Sequence, residues 1–209
     1  MLTNLLRAGL IELDIPFQDD QIDRLITYLE LLQKWNKAYN LTAIKDPDKM
    51  VAYHLMDSLA IINDMPAQGL CLDVGTGAGL PGIPLAIMRP QCDWVLLDSN
   101  GKKTRFVQQA IACCGLSNVK VVQSRIEDYD AASSFDVIVS RAFASLQDFV
   151  SAVDRLWAAN TRLITMKTEL SKSELHSLDP LLYRLNIVPL QVPGIVERRS
   201  LVTIQRQEI

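Results

Sequence analysis

A glycine-rich turn between two apolar segments constrains the fold of this chain more than any other feature. The turn spans Asp73–Gly79 and has glycine at every second position, at Gly75, Gly77 and Gly79. Glycine lets the backbone turn tightly after a strand, leaves no Cβ where a ligand must approach, and allows amide N–H groups to point at that ligand. The next apolar run ends in Asp98, an acid suited to bind the hydroxyls of a ribose. The pattern therefore predicts a nucleotide-type site without specifying the ligand.

From Leu70 onward, short apolar runs alternate with longer segments of helical periodicity. This alternation is typical of a parallel sheet covered by helices. Only residues 193–199 separate the last two strands, which is too short for a crossover helix, so we expect that pair to be antiparallel. We predict a Rossmann-like α/β fold with a seven-stranded, mostly parallel sheet and an antiparallel last strand. The predicted strands are Leu70–Val74, Trp94–Leu97, Val119–Gln123, Val137–Ser140, Leu163–Lys167, Ile187–Val192 and Leu201–Gln205, and the predicted helices lie near Leu80–Met88, Lys102–Cys114, Leu146–Ala158 and Lys172–Arg184.

The first 62 residues have helical rather than strand periodicity. Apolar residues recur at spacings of three and four after the capping candidates Asp19 and Asp20, and Pro16 separates this helix from a shorter one before it. Asp46-Pro47 starts a third helix that we expect to continue to about Ile62. We therefore divide the chain into a helical N-terminal extension, residues 1–62, and a sheet domain, residues 63–209.

The distribution of charge is more informative than its total. The chain has 209 residues and a formal net charge of −3, which argues against a protein that grips nucleic acid with its whole surface. From Ser99 to Arg125, however, there are five basic residues and no acid. This window predicts a local patch for a polyanion. Its basic residues are Lys102, Lys103, Arg105, Lys120 and Arg125.

Neither the cysteines nor the apolar runs indicate a metal site, a disulfide framework or a membrane anchor. Cys71, Cys92, Cys113 and Cys114 have no zinc-type spacing, and we expect buried, reduced thiols. No apolar run approaches the ~20 residues that span a bilayer, and no signal-peptide core is evident. We expect a soluble, monomeric, cytoplasmic protein without a metal.

The residues around the glycines favour S-adenosylmethionine over a dinucleotide. Gly77–Gly82 satisfies the dinucleotide pattern G-x-G-x-x-G, which alone is weak evidence and keeps a nicotinamide-dependent oxidoreductase open. Asp73 stands two residues before the first glycine, where a carboxylate suits an ammonium better than a pyrophosphate. After the third strand, Ile126 and Glu127 could contact an adenine at the ligand-binding edge of the sheet, although a solvated loop acid is an equal alternative for Glu127. We predict a class I methyltransferase.

The loop after the fourth strand, Ser140–Phe143, limits the chemistry of the methyl acceptor. It lacks both the Pro-Pro-aromatic motif typical of enzymes that methylate exocyclic amines and the cysteine nucleophile needed for pyrimidine carbon. An acceptor with a free lone pair, such as a guanine ring nitrogen, needs neither, because positioning can lower much of the barrier.

Separated motifs along the whole chain resemble the bacterial small-subunit ribosomal RNA guanine-N7 methyltransferase family, also called the glucose-inhibited division protein B family. The motifs are Lys34 to Thr42, His54 with Asp57-Ser58, Asp73 to Leu85, Leu97-Asp98-Ser99 with Lys102, Gln123-Ser124-Arg125 with Glu127, Ser140 to Ala144, Lys167 and Arg198. The resemblance implies methyl transfer from S-adenosylmethionine to N7 of a guanine in the 530 loop of 16S ribosomal RNA. It also implies cofactor contacts at Gly75, Leu80, Ile126 and Glu127, and it implies that Arg141, which lines the site after strand four, both contacts the cofactor and is the catalytic residue.

Several other side chains have both a functional and a structural interpretation. Lys102, Lys103, Arg105 and Arg125 could bind RNA phosphates or simply be solvated, and the same alternatives hold for Arg198 and Arg199 near the last turn. The position of Lys167, at the end of strand five on the cofactor edge of the sheet, favours a role in substrate binding. His54 and Asp57 are expected to hydrogen-bond each other, Trp35 and Tyr39 to be core, and His176 to be exposed. A non-catalytic RNA-binding or assembly protein is the third hypothesis, beside the methyltransferase and the oxidoreductase.

Overall fold

A seven-stranded sheet forms the centre of the molecule in the computed structural model, which describes residues 1–207. Its strand order is β3-β2-β1-β4-β5-β7-β6, and β7 runs antiparallel to both of its neighbours while the other pairs are parallel. The predicted sheet and its reversed last strand are confirmed. The chain order reverses between β1 and β4, which creates a crevice where ligands of such sheets collect. The strands are β1 Gly69–Val74, β2 Cys92–Asp98, β3 Val119–Gln123, β4 Val137–Ser140, β5 Arg162–Lys167, β6 Tyr183–Leu190 and β7 Arg199–Arg206.

Helices cover both faces of the sheet, and two apolar clusters hold them there. Successive side chains of a strand point to opposite faces, so Cys71 of β1 belongs to one cluster and Leu72 to the other. The first cluster also contains the N-terminal helices, and the second contains Phe149 of α7. The helices are α1 Leu2–Glu12, α2 Asp19–Tyr39, α3 Pro47–Met50, α4 Asp57–Leu59, α5 Gly82–Met88, α6 Gly101–Cys114, α7 Leu146–Val153 and α8 Lys172–Leu175.

The N-terminal helices pack directly on the sheet domain. On α2, Leu25 and Leu29 are fully buried in the same cluster as Phe106 of α6. The Tyr28 hydroxyl donates a 2.7 Å hydrogen bond to the Ala78 carbonyl, which ties α2 to the glycine turn. Helix packing in this region therefore supports the loop that precedes α5.

The third predicted helix is interrupted by a π-helical turn. After α3, residues Val51–Met56 form the π-turn, α4 follows, and a 3₁₀ turn spans Ile62–Asp64. An apolar pattern at spacings of three and four does not distinguish α from π geometry, which is why the sequence predicted one α-helix. π-turns occur frequently at functional sites, and this one carries His54.

In the sheet domain, three predicted elements have bounds that differ by more than two residues from those in the structure. The helix expected to reach Arg184 is limited to α8, since Pro180 cannot continue a helix, and β6 begins four residues before the predicted Ile187. The helix expected to reach Ala158 ends at Val153 and continues only as a 3₁₀ turn over Asp154–Leu156.

Across residues 1–207, no helix combines the length and apolar character needed to cross a membrane.

Two packing predictions were wrong. Tyr39 is 48% exposed rather than core, with its ring 5.2 Å from that of Trp35. Cys113 is exposed on α6, whereas Cys71, Cys92 and Cys114 are buried as expected. His176 is exposed, as predicted. Helical spacing predicted that Tyr39 is core, and the apolar segment around Cys113 predicted that its thiol is buried, but both side chains are exposed.

Candidate functional site

A cleft runs along the carboxyl edge of the sheet, at the point where the strand order reverses. Its main cavity has a volume of about 810 Å³. It is lined by the glycine turn, the π-turn, the loop after β4, the end of β5 and the start of β7. A second cavity of about 290 Å³ adjoins it near the ends of β2 and β3. The two cavities share Gly75, Lys103, Ala142 and Phe143, so they form one continuous site.

The glycine turn needs glycine for both backbone and steric reasons. Gly75, Gly77 and Gly79 have φ values of 69°, 61° and 85°, in the left-handed region. A Cβ on Gly75 would lie 2.6 Å from the Ala142 Cβ, across the cleft between β1 and β4. The turn therefore brings the backbone unusually close to the loop after β4.

The amides of the turn are directed differently from our expectation. The N–H groups of Gly75 and Thr76 both donate to the Leu97 carbonyl, and that of Gly79 donates to the Thr76 carbonyl. The Gly77 N–H donates to Asp98 Oδ2 at 2.8 Å. These hydrogen bonds rigidify the turn against β2 instead of leaving those donors to a ligand.

Asp73 lies beneath the turn, fully buried, and is not part of the cavity wall. Its Oδ2 accepts hydrogen bonds from Thr76 Oγ1 at 2.7 Å and from the Gly82 N–H at 2.9 Å. Its Oδ1 has no hydrogen-bond partner within residues 1–207. Burial raises the pKa of Asp73 to about 6, although its two hydrogen bonds oppose the shift. The Asp73 carboxylate therefore stabilises the backbone of the turn, and its Oδ1 can still accept a hydrogen bond.

The smaller cavity brings together four of the predicted cofactor residues, Gly75, Asp98, Ile126 and Glu127. Asp98 is 8% exposed, and its Oδ1 accepts a hydrogen bond from the Asn100 N–H at 2.8 Å. Ile126 is half-buried and Glu127 is exposed on a 3₁₀ turn, and both line the cavity. An apolar wall, a flanking carboxylate and a glycine without a Cβ suit an adenosine group with a cationic amino-acid end.

An ion-pair cluster forms the opposite wall of the main cavity. Arg141 Nη1 lies 2.8 Å from Asp57 Oδ2, and Arg199 Nε lies 3.0 Å from Asp57 Oδ1. The expected hydrogen bond between His54 and Asp57 was wrong, because Asp57 is engaged by the arginines and His54 Nε2 lies 3.0 Å from Thr42 Oγ1. The sequence offered no signal for this cluster, whose members are far apart along the chain.

Burial keeps the His54 ring neutral. Its pKa is lowered to about 4, chiefly by burial and secondarily by the Arg141 charge. Its Nδ1 is buried and has no hydrogen-bond partner among the described residues. A neutral ring beside Asp57 adds no positive charge to the cavity wall.

The candidate RNA-binding residues fall into different environments. Lys103 lies between the two cavities, with Nζ 4.0 Å from Asp98 Oδ2, whereas Lys102 and Arg105 are exposed at the start of α6. Lys167 is not free, since its Nζ donates to the Phe143 and Ala144 carbonyls and pairs with Glu174 at 3.0 Å. The remaining candidates are Arg125 at the smaller cavity, Arg199 in the main cavity and Arg198, which is exposed in the turn before β7 and lies outside both.

A family model described as rRNA small subunit methyltransferase G matches residues 21–202. The chain belongs to this family. A relative named ribosomal RNA small subunit methyltransferase G from Nitrosococcus oceani is 45% identical over 202 residues, covering 97% of this chain and 94% of the relative. A relative of the same name from Stutzerimonas stutzeri is 48% identical over 197 residues, covering 93% and 91%. The predicted family is confirmed along nearly the whole chain.

Solved structures agree on the fold at low sequence identity. The N-methyltransferase NodS from Bradyrhizobium japonicum, in complex with S-adenosyl-L-homocysteine, superposes with a TM-score of 0.58 at 17% identity, covering 87% of this chain and 99% of that one. A methyltransferase from Aquifex aeolicus described as SAM dependent gives 0.58 at 16% identity, covering 79% and 96%. The Rossmann-like methyltransferase fold is confirmed. With the family, it makes this protein a methyltransferase.

Proposed function

We propose that this enzyme transfers the methyl group of S-adenosylmethionine to N7 of a guanine in the 530 loop of 16S ribosomal RNA. The observation that carries the proposal is the continuous cleft. One part of it, formed by the smaller cavity and the glycine turn, suits adenosine and is called the cofactor arm. The other part is the side of the main cavity with the arginine-lined wall, which suits a nucleotide. Membership of a family named for small-subunit ribosomal RNA supports the substrate. The acceptor atom follows from the chemistry of the site.

A ring nitrogen requires less of the protein than other acceptors do. S-adenosylmethionine supplies a methyl group on a sulfonium, and guanine N7 offers a lone pair without a proton to remove. No cysteine lines the two cavities in the described part of the chain. The residues of the cleft then need only to bind, orient and exclude water, and such positioning accounts for a large part of the rate in reactions of this kind.

The cofactor arm has a proposed role for each predicted residue. Gly75, Gly77 and Gly79, with Leu80 after them, shape the surface against which the donor lies, and Asp73 holds the turn from below. Asp98 accepts hydrogen bonds from the ribose, while Ile126 and Glu127 contact the adenine. Arg141 is the proposed catalytic residue and also contacts the donor, because it lines the main cavity together with Gly75 and Gly77.

The RNA face surrounds the mouth of the cleft. We assign phosphate contacts to Lys102, Lys103, Arg105, Arg125 and Arg199, with Arg198 at its margin. Lys167 orders the loop after β4 through two carbonyl contacts and thereby acts on the RNA face indirectly. The proposed partner is 16S ribosomal RNA or the small subunit, in the cytoplasm. A monomeric state stays a prediction that analytical ultracentrifugation tests.

Methyl mapping on ribosomal RNA tests the proposal directly. Small subunits and naked 16S RNA from cells without the enzyme are incubated with purified protein and labelled S-adenosylmethionine. We expect one 7-methylguanine in the 530 loop and none when that guanine is replaced by adenine. Arg141→Ala should lower turnover while most RNA affinity remains, and Arg24→Ala, whose side chain pairs with Asp20 on α2 outside both cavities, is the control. Methylation at another atom or another loop contradicts the proposal.

A further inference from the structure

One buried carboxylate joins three distant segments of the chain at the wall of the main cavity. Asp57 follows the π-turn, Arg141 follows β4, and Arg199 starts β7. Each oxygen of Asp57 accepts from a different guanidinium, at 2.8 Å and 3.0 Å. Asp57 is 7% exposed, and the side chains of Arg141 and Arg199 are 22% and 12% exposed. Asp57 is therefore the side chain that links the two arginines.

The cluster leaves donors and charge available to a ligand. One carboxylate balances only one of two guanidinium groups, and the neutral His54 adds no charge. Arg141 uses only Nη1 on Asp57 among the hydrogen bonds of the described residues, while Arg199 uses Nε on Asp57 and Nη1 on the Arg198 carbonyl. A guanidinium has five donors, so several remain for the cavity.

The direction of these donors matters for a guanine acceptor. A freely oriented arginine pairs most favourably with O6 and N7 of guanine together. That pairing would cover the lone pair that must receive the methyl group. A carboxylate that holds one edge of Arg141 fixes which edge faces the cavity.

We propose that Asp57 is a positioning residue that holds Arg141 and Arg199 against the acceptor nucleotide, so that N7 stays open to the methyl donor. This inference rests on the proposed function. Both carboxylate oxygens of Asp57 accept from the arginines, so its proposed role is to hold them rather than to contact a reactant. Removal of Asp57 should disturb the approach of the acceptor and leave the smaller cavity, which Asp57 does not line, unchanged.

The test compares Asp57→Asn with Asp154→Asn, using small subunits as methyl acceptor. Asp154 also pairs with an arginine, Arg206 at 2.6 Å, but outside the cleft. We expect Asp57→Asn to lower kcat about 100-fold, the scale of a misplacement near 1 Å. The KM for the subunit should stay equal or fall, because the RNA face has lost a negative charge. The Kd for S-adenosylmethionine should change less than about twofold, and Asp154→Asn should match wild type.

Asp57→Glu keeps the inference testable if Asp57→Asn folds poorly. It retains the charge but displaces the carboxylate, so we expect wild-type thermal stability with kcat lowered about tenfold. Wild-type kcat in both variants overturns the inference. The inference is also overturned if the loss of kcat is accompanied by a similar fold-loss of cofactor affinity and by a lower melting temperature, because a purely structural ion pair would give that result. Failure of wild-type enzyme to methylate the subunit is a different result, and it contradicts the proposed function instead.

Discussion

Gly75 combines two constraints that only glycine satisfies. Its φ of 69° is unfavourable for other residues, and a Cβ there would lie 2.6 Å from Ala142. Gly115 has a similar φ of 62° but nothing within 4 Å of an added Cβ. A comparison of substitutions at Gly75 and Gly115 therefore separates the cost of backbone strain from the cost of a steric clash at the cleft.

We therefore expect Gly75→Ala to weaken S-adenosylmethionine binding at least about tenfold, because strain and clash together displace the loop after β4. Gly115→Ala should lower the free energy of unfolding by about 1 kcal/mol and leave cofactor affinity unchanged. Isothermal titration calorimetry and denaturant unfolding measure the two effects. Equal cofactor affinity in both variants would contradict the role assigned to the turn.

His54 and Asp73 have opposite effects on stability over the same pH range. The folded-state pKa of His54, about 4, lies below its unfolded value of about 6.5, so its contribution to stability is lost as the pH falls between those values. The folded-state pKa of Asp73, about 6, lies above its unfolded value, so its unfavourable contribution is relieved as the pH falls. The two contributions largely cancel in the intact protein.

Replacing His54 should expose the effect of Asp73. We expect the free energy of unfolding of His54→Gln, measured relative to that of wild type, to rise by about 2 kcal/mol as the pH falls from 7 to 5. Urea unfolding at the two pH values measures the difference. His176→Gln controls for loss of an exposed histidine. A difference between His54→Gln and wild type that does not vary with pH would contradict the burial of a neutral imidazole.

At the scale of elements, the start of α6 joins the cofactor arm to the RNA face. The Asn100 side chain caps the helix by accepting from the Lys102 and Lys103 N–H groups. This cap fixes the basic first turn beside Asp98. Lys120, in the same acid-free window, is exposed in the middle of β3 and away from both cavities.

We expect Lys102→Gln to weaken RNA binding and to reduce the slope of log K against log salt by about 1, as for one lost phosphate contact. Lys120→Gln removes the same charge from the same window and should leave the slope unchanged. Filter binding to small subunits at several salt concentrations measures both. Identical behaviour of the two variants would assign the effect to net charge rather than to the face at α6.

At the scale of the whole molecule, the N-terminal helices and the sheet share one apolar cluster. Leu25 and Leu29 of α2 lie in that cluster with Phe106 and Trp94 of the sheet domain. The division at residue 62 follows the change of sequence pattern, but it passes through this cluster. The extension also supplies His54 and Asp57 to the cleft.

A fragment of residues 63–209 should therefore lack a cooperative thermal transition, because it would expose the face that α1 and α2 cover. Circular dichroism and calorimetry measure the transition. The milder Leu29→Ala variant of the full chain should fold but lose about 2–5 kcal/mol of stability. A sharp transition in the fragment would instead support an independent domain.

Much of this protein is determined locally by its sequence. Apolar runs, turn residues and the short 193–199 connection predicted the sheet and its reversed strand, because those signals arise between near neighbours in the chain. The same locality explains the errors: spacing alone does not distinguish the π-turn of Val51–Met56 from an α-helix, nor did it prevent a helix being predicted beyond α8. The glycine turn and the family were identified from motifs.

The pairings in the cleft were decided only by the tertiary structure. The sequence contains Asp57, Arg141 and Arg199 without any spacing that joins them, and it suggested His54 as the partner of Asp57 because the two are close on one helix. The fold instead brings the arginines to the carboxylate from 84 and 142 residues away. A buried charge must find a partner wherever the packed elements provide one, so its partner depends on the fold rather than on the local sequence.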